Sequence, residues 1–428
     1  MRWLFRSVKR ISLILAATVF LQSVSFVSSQ STAQAAEAID LKLEAKAAIL
    51  IEASTGQVLY EYNADEALPP ASMSKMMTEY LVMEAIKSGK LSWDEMVTTS
   101  KYASEVIGSG DLLAEGEQAS VRSLFEAMSI YSANDASVAL AERVAGTEEN
   151  FAKMMNDKAR EMGLSPQAHF INATGLSRAD LKQYAPKELQ GETLLTARDA
   201  ALLAYYIIKD HKEVLEFTKI PQKKFREKDA SPMVNWNWML EGNKDNLYLK
   251  SYAYPGLDGL KTGSTKEAGY CFTGTAERNG MRLISVVMNT PSEPKRFRET
   301  AKVLNYGFDN FELKQVVSAN AEIDSLKTVN IKKGVLTSVP VVTEKPISIV
   351  AKKGAAAEEF KIAAAPVGEE SLVAPIKKGQ VLGTAKVTYN GTEQTVNLIA
   401  AQDVEKGSWF RLFFRAIKDF FVDLFNGS

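Results

Sequence analysis

Three short runs of residues carry side chains that together can perform acyl transfer. The first is Ser72-Met73-Ser74-Lys75. Pro69-Pro70 precede it, and helical spacing follows in Met76, Met77, Tyr80, Leu81 and Met83. That pattern puts Ser72 at a helix start and Lys75 one turn on, on the same face. A serine hydroxyl is a weak nucleophile until a base takes its proton. A lysine whose pKa is lowered by burial and by cationic neighbours can be that base. The second run, Ser132-Ala133-Asn134, comes sixty residues later in a short break between two helical patterns. It offers a hydroxyl to relay a proton and an amide to hold a carbonyl or Lys75. On its own it reads as a helix cap. The third, Lys261-Thr262-Gly263, follows Asp258-Gly259-Leu260 and precedes a strand-like run from Tyr270 to Thr275. A lysine and a hydroxyl on an edge strand can grip a carboxylate, and the glycine lets a substrate backbone approach.

The composition narrows the choice of chemistry. The chain has two histidines, His169 and His211, and one cysteine, Cys271. An intrachain disulfide is excluded, and so is a zinc site built on several cysteines. A Ser-His-Asp enzyme is disfavoured, so hydrolysis here needs another base. No His, Asp and Glu cluster has metal-ligand spacing, so neither metal nor cofactor is expected. With 51 basic against 52 acidic residues, nothing suggests a nucleic-acid partner. Cys271 reads as a buried structural thiol. Trp236 and Trp238 read as core packing rather than a groove lining, and the two histidines as structural or exposed.

Several elements must position the three runs. Residues 1–35 combine Arg2, Arg6, Lys9 and Arg10 with an apolar run from Ile11 to Phe20 and a small-residue end at Ala33-Gln34-Ala35. This is the pattern of a secretory signal, with cleavage expected after Ala35 or Ala36. Ala47 to Ile51 and Val58 to Tyr60 flank Ser54-Thr55-Gly56 as a hairpin. Further helices are expected around Leu124 to Ile130, Val138 to Val144 and Ala200 to Ile208. Arg278-Asn279-Gly280 joins two strands, Tyr270 to Thr275 and Met281 to Met288. Strands at both ends with helices between predict one α/β or α+β domain over 36–312. Residues 313–403 hold two aromatics, Phe360 and Tyr389, and Lys-Lys-Gly at 332, 352 and 377. With the hairpin signal Tyr389-Asn390-Gly391-Thr392, they predict a small all-β domain with lysine-edged turns. Residues 404–428 form an amphipathic end. Seven of the last twenty residues are aromatic, filling half a helical wheel with Ile417 and Leu424. Arg411, Arg415 and Lys418 lie opposite, and Ser408 can cap the helix. This predicts an in-plane interfacial helix over 409–425 rather than a span, since Arg415, Lys418, Asp419 and Asp423 interrupt it.

The order, spacing and context of the three runs resemble the penicillin-recognising serine acyl-transferases. The chain is closely similar to the D-alanyl-D-alanine carboxypeptidases among them, the low-molecular-mass penicillin-binding proteins. His169-Phe170-Ile171-Asn172 leading to Gly175-Leu176, Thr196-Ala197-Arg198-Asp199 and Asp258-Gly259-Leu260 extend the likeness. The resemblance implies a penicillin-binding transpeptidase-like domain and a peptidoglycan pentapeptide substrate. It also implies that Ser72 attacks the penultimate D-Ala carbonyl, with Lys75 as base and Ser132 passing a proton to the leaving amine. Asn134 would hold substrate and Lys75, while Lys261 and Thr262 bind the terminal carboxylate beside Gly263. The N–H groups of Ser72 and Ser264 would form the oxyanion hole. Water would release the acyl group, and β-lactams would acylate Ser72. The location implied is outside the cytoplasm, at the outer face of the membrane. Rival readings are a β-lactamase, a D,D-endopeptidase and a non-enzymatic wall-binding protein. The first would need a glutamate to activate the deacylating water, and this chain has no Glu-x-x-Leu-Asn segment between Ser132 and Lys261.

Overall fold

The computed structural model describes residues 39–110 and 112–426, with the backbone alone at 419–421 and 423–426. The expected signal segment and its cleavage point lie outside the described residues. Strands β1 (Ala47–Glu52) and β2 (Val58–Tyr62) pair as the expected hairpin. Strands β3 (Leu257–Thr265), β4 (Gly269–Arg278) and β5 (Met281–Thr290) complete an antiparallel sheet in the order β2-β1-β5-β4-β3. The mixed arrangement is therefore α+β, with β3 on an edge. Asn279 and Gly280 both take positive φ in the β4–β5 turn, as a two-residue hairpin requires.

Between β2 and β3 run the helices α1 (Lys75–Lys87), α2 (Val121–Tyr131), α3 (Asn134–Ala145), α4 (Glu148–Glu161) and α5 (Ala197–Asp210). Ser120, Thr147 and Thr196 cap α2, α4 and α5, each accepting a backbone N–H three residues on. Asp199 answers Thr196 in a full capping box and also holds Ser165. Helix α6 (Glu293–Asn310) covers the opposite face of the sheet.

The sheet is buried on both sides, and β1 shows why its sequence reads as an unbroken apolar run. Ala47, Ile49 and Ile51 join the core beneath α1–α5. Ala48 and Leu50 join a second core with Phe297, Val303 and Leu304 of α6. Helix α6 approaches closely at Gly307, where a Cβ would stand 2.6 Å from side-chain carbons of Leu50 and Leu283.

The second half of the chain is all-β. Strands β6 (Phe311–Val317) and β9 (Ile347–Lys352) pair. Strands β7 (Thr328–Asn330), β8 (Ser338–Thr343), β10 (Lys361–Pro366), β11 (Val381–Tyr389) and β12 (Thr392–Ala400) form a sheet in the order β7-β8-β12-β11-β10. Asn390 and Gly391 make the expected β11–β12 turn with positive φ. This part begins with β6 at Phe311, and late bridges Ile376↔Val404 and Gly334↔Lys406 continue it past Ala400.

Helix α7 (Trp409–Asn426) ends the described chain. The Leu412 N–H bonds to the Ser408 carbonyl, and the Ser408 hydroxyl accepts from the Arg411 N–H. Trp409, Phe410, Phe413 and Phe414 are exposed. Arg415 departs from the expected wheel. Its guanidinium donates to the carbonyls of Gly334 (3.0 Å) and Val335 (3.2 Å), tying the helix to the β-domain.

Two-sided burial sets a stability expectation. Leu50→Ala removes three carbons from a side chain with no exposed surface and should cost about 2–5 kcal/mol. Urea denaturation followed by tryptophan fluorescence measures it. A midpoint equal to wild type would contradict the packing of α6 on this face.

Candidate active site

The nucleophile run folds as a single 3-10 turn, Ala71–Ser74, leading into α1. Ala71 has φ 48°, and the Ser74 hydroxyl closes the turn on the Ala71 carbonyl at 2.8 Å. Two glycines clamp it. At Gly263 of β3 a Cβ would lie 2.4 Å from the Pro70 carbonyl oxygen and 3.2 Å from the Ser72 nitrogen. At Gly175, φ 82°, it would lie 2.0 Å from the Ala71 carbonyl oxygen. The close approach at Gly263 is therefore of strand to nucleophile turn, where the sequence suggested strand to substrate.

Lys75 has no exposed surface. Its Nζ lies 2.9 Å from Ser72 Oγ, 2.6 Å from Asn134 Oδ1 and 2.9 Å from the Thr174 carbonyl oxygen. Burial, then the charge of Lys261, holds its pKa well below the usual lysine range. A neutral amine has two N–H bonds and one lone pair. Asn134 and Thr174 take the two N–H bonds, and the lone pair is left facing the Ser72 hydroxyl.

The second run sits in the break between α2 and α3. Ser132 takes a left-handed conformation (φ 61°, ψ 30°), strained for a residue with a Cβ by about 1–3 kcal/mol. It places Oγ 2.8 Å from Lys261 Nζ. Asn134 is fixed on both sides, its Nδ2 donating to Ile107 O (2.7 Å) and its backbone N–H to Ser109 O (2.6 Å). Asp135 holds the same loop through the N–H groups of Leu112 and Leu113.

Lys261 on β3 is also buried, donating to Ser132 Oγ and to Thr262 O (3.2 Å). Burial lowers its pKa to about 8, against the pull of Glu79. Its Nζ meets the groove at Ser132, one of the lining residues. The groove, about 380 Å³, is lined by Ser72, Ser132, Asn134, Thr262, Gly263 and Ser264. The cation on its wall is Arg296 of α6, whose Nη2 bonds Glu293 at 2.7 Å. No sequence motif flagged Arg296. A smaller cavity of about 250 Å³ beside the stacked Tyr102 and Tyr184 rings holds none of these groups.

The residues around His169 do structural work. Asn172 Oδ1 accepts from Thr174 N, Thr174 Oγ1 and Gly175 N at 2.6–2.9 Å. The resulting turn presents the Thr174 carbonyl to Lys75. Glu148 holds Ala173 N at 2.9 Å and the Tyr102 hydroxyl. The two tryptophans separate. Trp238 packs on Tyr252 and Phe297, as expected, whereas Trp236 lines the groove, stacked on Tyr131. Cys271 is buried, and burial pushes its thiol up to about 11, so it is no nucleophile.

Comparison with known proteins accords with this geometry. Residues 30–292 match the family model described as D-alanyl-D-alanine carboxypeptidase. Residues 311–406 match the model for the penicillin-binding protein 5 C-terminal domain. D-alanyl-D-alanine carboxypeptidase DacF of Bacillus subtilis is 35% identical over 376 residues, covering 88% of this chain and 90% of that protein. DacC of Escherichia coli is 34% identical over 401 residues, covering 92% and 91%. Among solved structures, a peptidoglycan synthesis regulatory factor (PBP3) from Streptococcus pneumoniae superposes with TM-score 0.75 at 30% identity, over 85% of this chain and all (100%) of that one. Penicillin-binding protein D2 from Listeria monocytogenes in its ampicillin-bound form gives TM-score 0.52 at 38% identity, over 62% and 98%. With its family model matched around the Ser72–Lys75 turn and its relatives alike over most of their length, this chain belongs to the serine D-alanyl-D-alanine carboxypeptidases.

Proposed function

We propose that the groove binds a peptidoglycan stem ending in D-Ala-D-Ala and that Ser72 attacks the penultimate carbonyl. Lys75 accepts the Ser72 proton as the C–O bond forms. The tetrahedral oxyanion is received by the N–H groups of Ser72 and Ser264. Ser132 relays the proton taken up by Lys75 to the departing D-Ala amine, which returns Lys75 to its neutral form, and is held for this by the Lys261 ammonium. The C–N bond breaks, D-Ala leaves, and water cleaves the ester on Ser72. Asn134 fixes Lys75 and borders the substrate amide. Thr262 and Ser264 offer hydroxyls to the terminal carboxylate, and Arg296 supplies the positive charge on the groove wall together with the field of Lys261. β-Lactams acylate the same serine. One observation carries the reading: a buried Lys75 with two fixed acceptors and its remaining direction on Ser72 Oγ.

On the same reading the chain divides into an export signal at 1–35, the catalytic domain at 36–312, a β-domain at 313–403 and an anchoring helix beyond 404. Strand β6 begins at Phe311 and a β-bridge reaches Lys406, which supports inner limits near these positions. None of the described helices is long and apolar enough to cross a membrane. Exposed Trp409, Phe410, Phe413 and Phe414 fit a helix lying in the membrane surface. Arg411 and Lys418 are exposed and free to meet anionic headgroups, while Arg415 is occupied within the protein. The enzyme would then work on the outer face of the cytoplasmic membrane.

Ser72→Ala is expected to abolish D-Ala release and penicillin labelling with the fold intact. A labelled peptide lacking Ser72, identified by mass spectrometry, would overturn the assignment. Lys75→Ala should lose activity nearly as fully, because nucleophile and base act as one unit.

Substrates amidated at the terminal carboxylate should react far more slowly, since a charge-assisted contact is lost. Arg296→Ala should narrow the difference between acid and amide substrates. Equal turnover of both by the wild-type enzyme would exclude carboxylate recognition and favour an endopeptidase.

A chain ending at Ser408 retains the Lys406 bridge and the Gly407 N–H bond to Lys333 O. It should be soluble without detergent, with unchanged D-Ala release from a soluble peptide. Persistent sedimentation with membranes, or loss of catalysis, would assign the helix to the fold instead.

A further inference from the structure

Glu79 is a carboxylate with no exposed surface, one helical turn beyond Lys75 on α1. Nothing in the mechanism above uses it. Its Oε1 accepts from the Ser129 hydroxyl at 2.8 Å, and its Oε2 is buried without a hydrogen-bond partner. A buried carboxylate oxygen left unpaired is costly, so such a group persists where a nearby charge compensates it. Ser129 lies in the last turn of α2, three residues before Ser132. The same stretch of chain therefore presents one hydroxyl to Glu79 and the next to Lys261.

The other charged groups packed around Glu79 are committed elsewhere. On α3, Asp135 holds the N–H groups of Leu112 and Leu113. On α4, Glu148 holds Tyr102 and Ala173. On α5, Arg198 pairs with Asp65 and Glu61, Asp199 caps its own helix, and Asp210 accepts from Tyr80. On α2, Glu126 pairs with Lys223, and on α6, Arg296 with Glu293. Lys75 stands one turn before Glu79 on α1, and Lys261 on β3 is bonded to Ser132, at the end of the helix whose Ser129 holds Glu79.

We propose that Glu79 is a positioning residue that divides the labour of the two buried lysines: its carboxylate keeps Lys261 an ammonium that donates to Ser132, and that ammonium in turn keeps Lys75 a neutral amine facing Ser72. This rests on the Ser72–Lys75 reading above. Glu79 exerts the largest upward electrostatic pull on both lysines, and Lys261 the largest downward one on Lys75. Burial raises the Glu79 carboxyl itself to about 7, opposed by the Ser129 hydrogen bond and the lysine charges. The Ser129 hydrogen bond thus favours the ionised form of Glu79.

The sign of the effect is definite. Activity requires Lys75 neutral, which sets the acid limb of the pH profile, and Lys261 charged, which sets the alkaline limb. Removing the anion lowers both lysine pKa values. In Glu79→Gln the alkaline limb, where the wild-type carboxylate is ionised, should move to lower pH by about one unit, the scale of an opposite charge in close range. Glu79→Asp retains the charge and should return the profile toward wild type. The measurement is the second-order rate of acylation of the full chain by a fluorescent penicillin from pH 5 to 10, with D-Ala release alongside. A Glu79→Gln profile lower by one factor at every pH, with both limbs in place, would mean a purely structural role. If Glu79→Gln does not fold, Ser129→Ala decides the question. It weakens the anion and should cost activity above about pH 7 but not below. A loss uniform in pH, or none, overturns the proposal. A wild-type enzyme with no acid limb, or labelled elsewhere than Ser72, would instead refute the reading on which it rests.

Discussion

The burial of two lysine side chains in one cluster is the constraint on which the site depends. Taking an ammonium out of water costs several kcal/mol even after relaxation, and a second one nearby adds repulsion. The cluster can relieve this by giving up a proton, and burial together with the charge of Lys261 holds the Lys75 pKa well below the usual lysine range. On the proposed reading this makes a base of a side chain that in water would be protonated. The amine must then be held by acceptors, or its lone pair would point at random. Asn134 and the Thr174 carbonyl supply that hold, one from the α2–α3 break and the other from the turn shaped by Asn172.

That requirement explains much of the surrounding backbone. Gly263 and Gly175 let β3 and the 172–175 turn close on either side of the nucleophile turn, where any Cβ would strike backbone. The left-handed Ser132 stores strain at the point where its hydroxyl meets Lys261. Helix α1 is rigid because Thr78 bonds the Ala173 carbonyl and most of its side chains are buried. The sheet gains its stiffness from core on both faces, so the edge strand carrying Lys261 is supported from behind.

What could be read in the sequence was what depends on local chemistry. Asn279-Gly280 and Asn390-Gly391 specify their turns within two residues, and both were legible. The apolar runs of β1 and β5 and the helical periods of α1, α2 and α5 were legible for the same reason. Ser72, Lys75, Ser132 and Asn134 were legible as spaced runs, and the structure brings them together. The bond from Lys261 to Ser132 was not. What a strand lysine donates to depends on what packs against the strand, here the Ser132 break from a distant part of the chain. Arg296, Trp236, Thr174 and Glu79 lay outside any motif. They matter through contacts spanning up to about a hundred residues or more, and Thr174 acts through a carbonyl that every residue type carries. Trp236 and Trp238 share an alternating pattern, yet one lines the groove and the other the core, because the chain there is irregular rather than a strand.

On the proposed membrane reading, the Arg415 contact also changes which force does the binding. Each basic side chain near an anionic surface contributes about 1 kcal/mol, and of the three on this helix Arg411 and Lys418 are exposed. Burying one large apolar side chain contributes about 1.5–3 kcal/mol, and Trp409, Phe410, Phe413 and Phe414 are all exposed to do so. The apolar face therefore outweighs the charges, and attachment should be largely insensitive to salt. Arg415, bonded to the Gly334 and Val335 carbonyls, gives this apolar contact a direction. The helix leaves the β-domain at an angle set by that bond as well as by the chain at 407–408. On that reading, a β-domain held to its anchor in this way would act as a spacer of defined orientation, presenting the catalytic domain to the wall above the membrane instead of leaving it on a free tether.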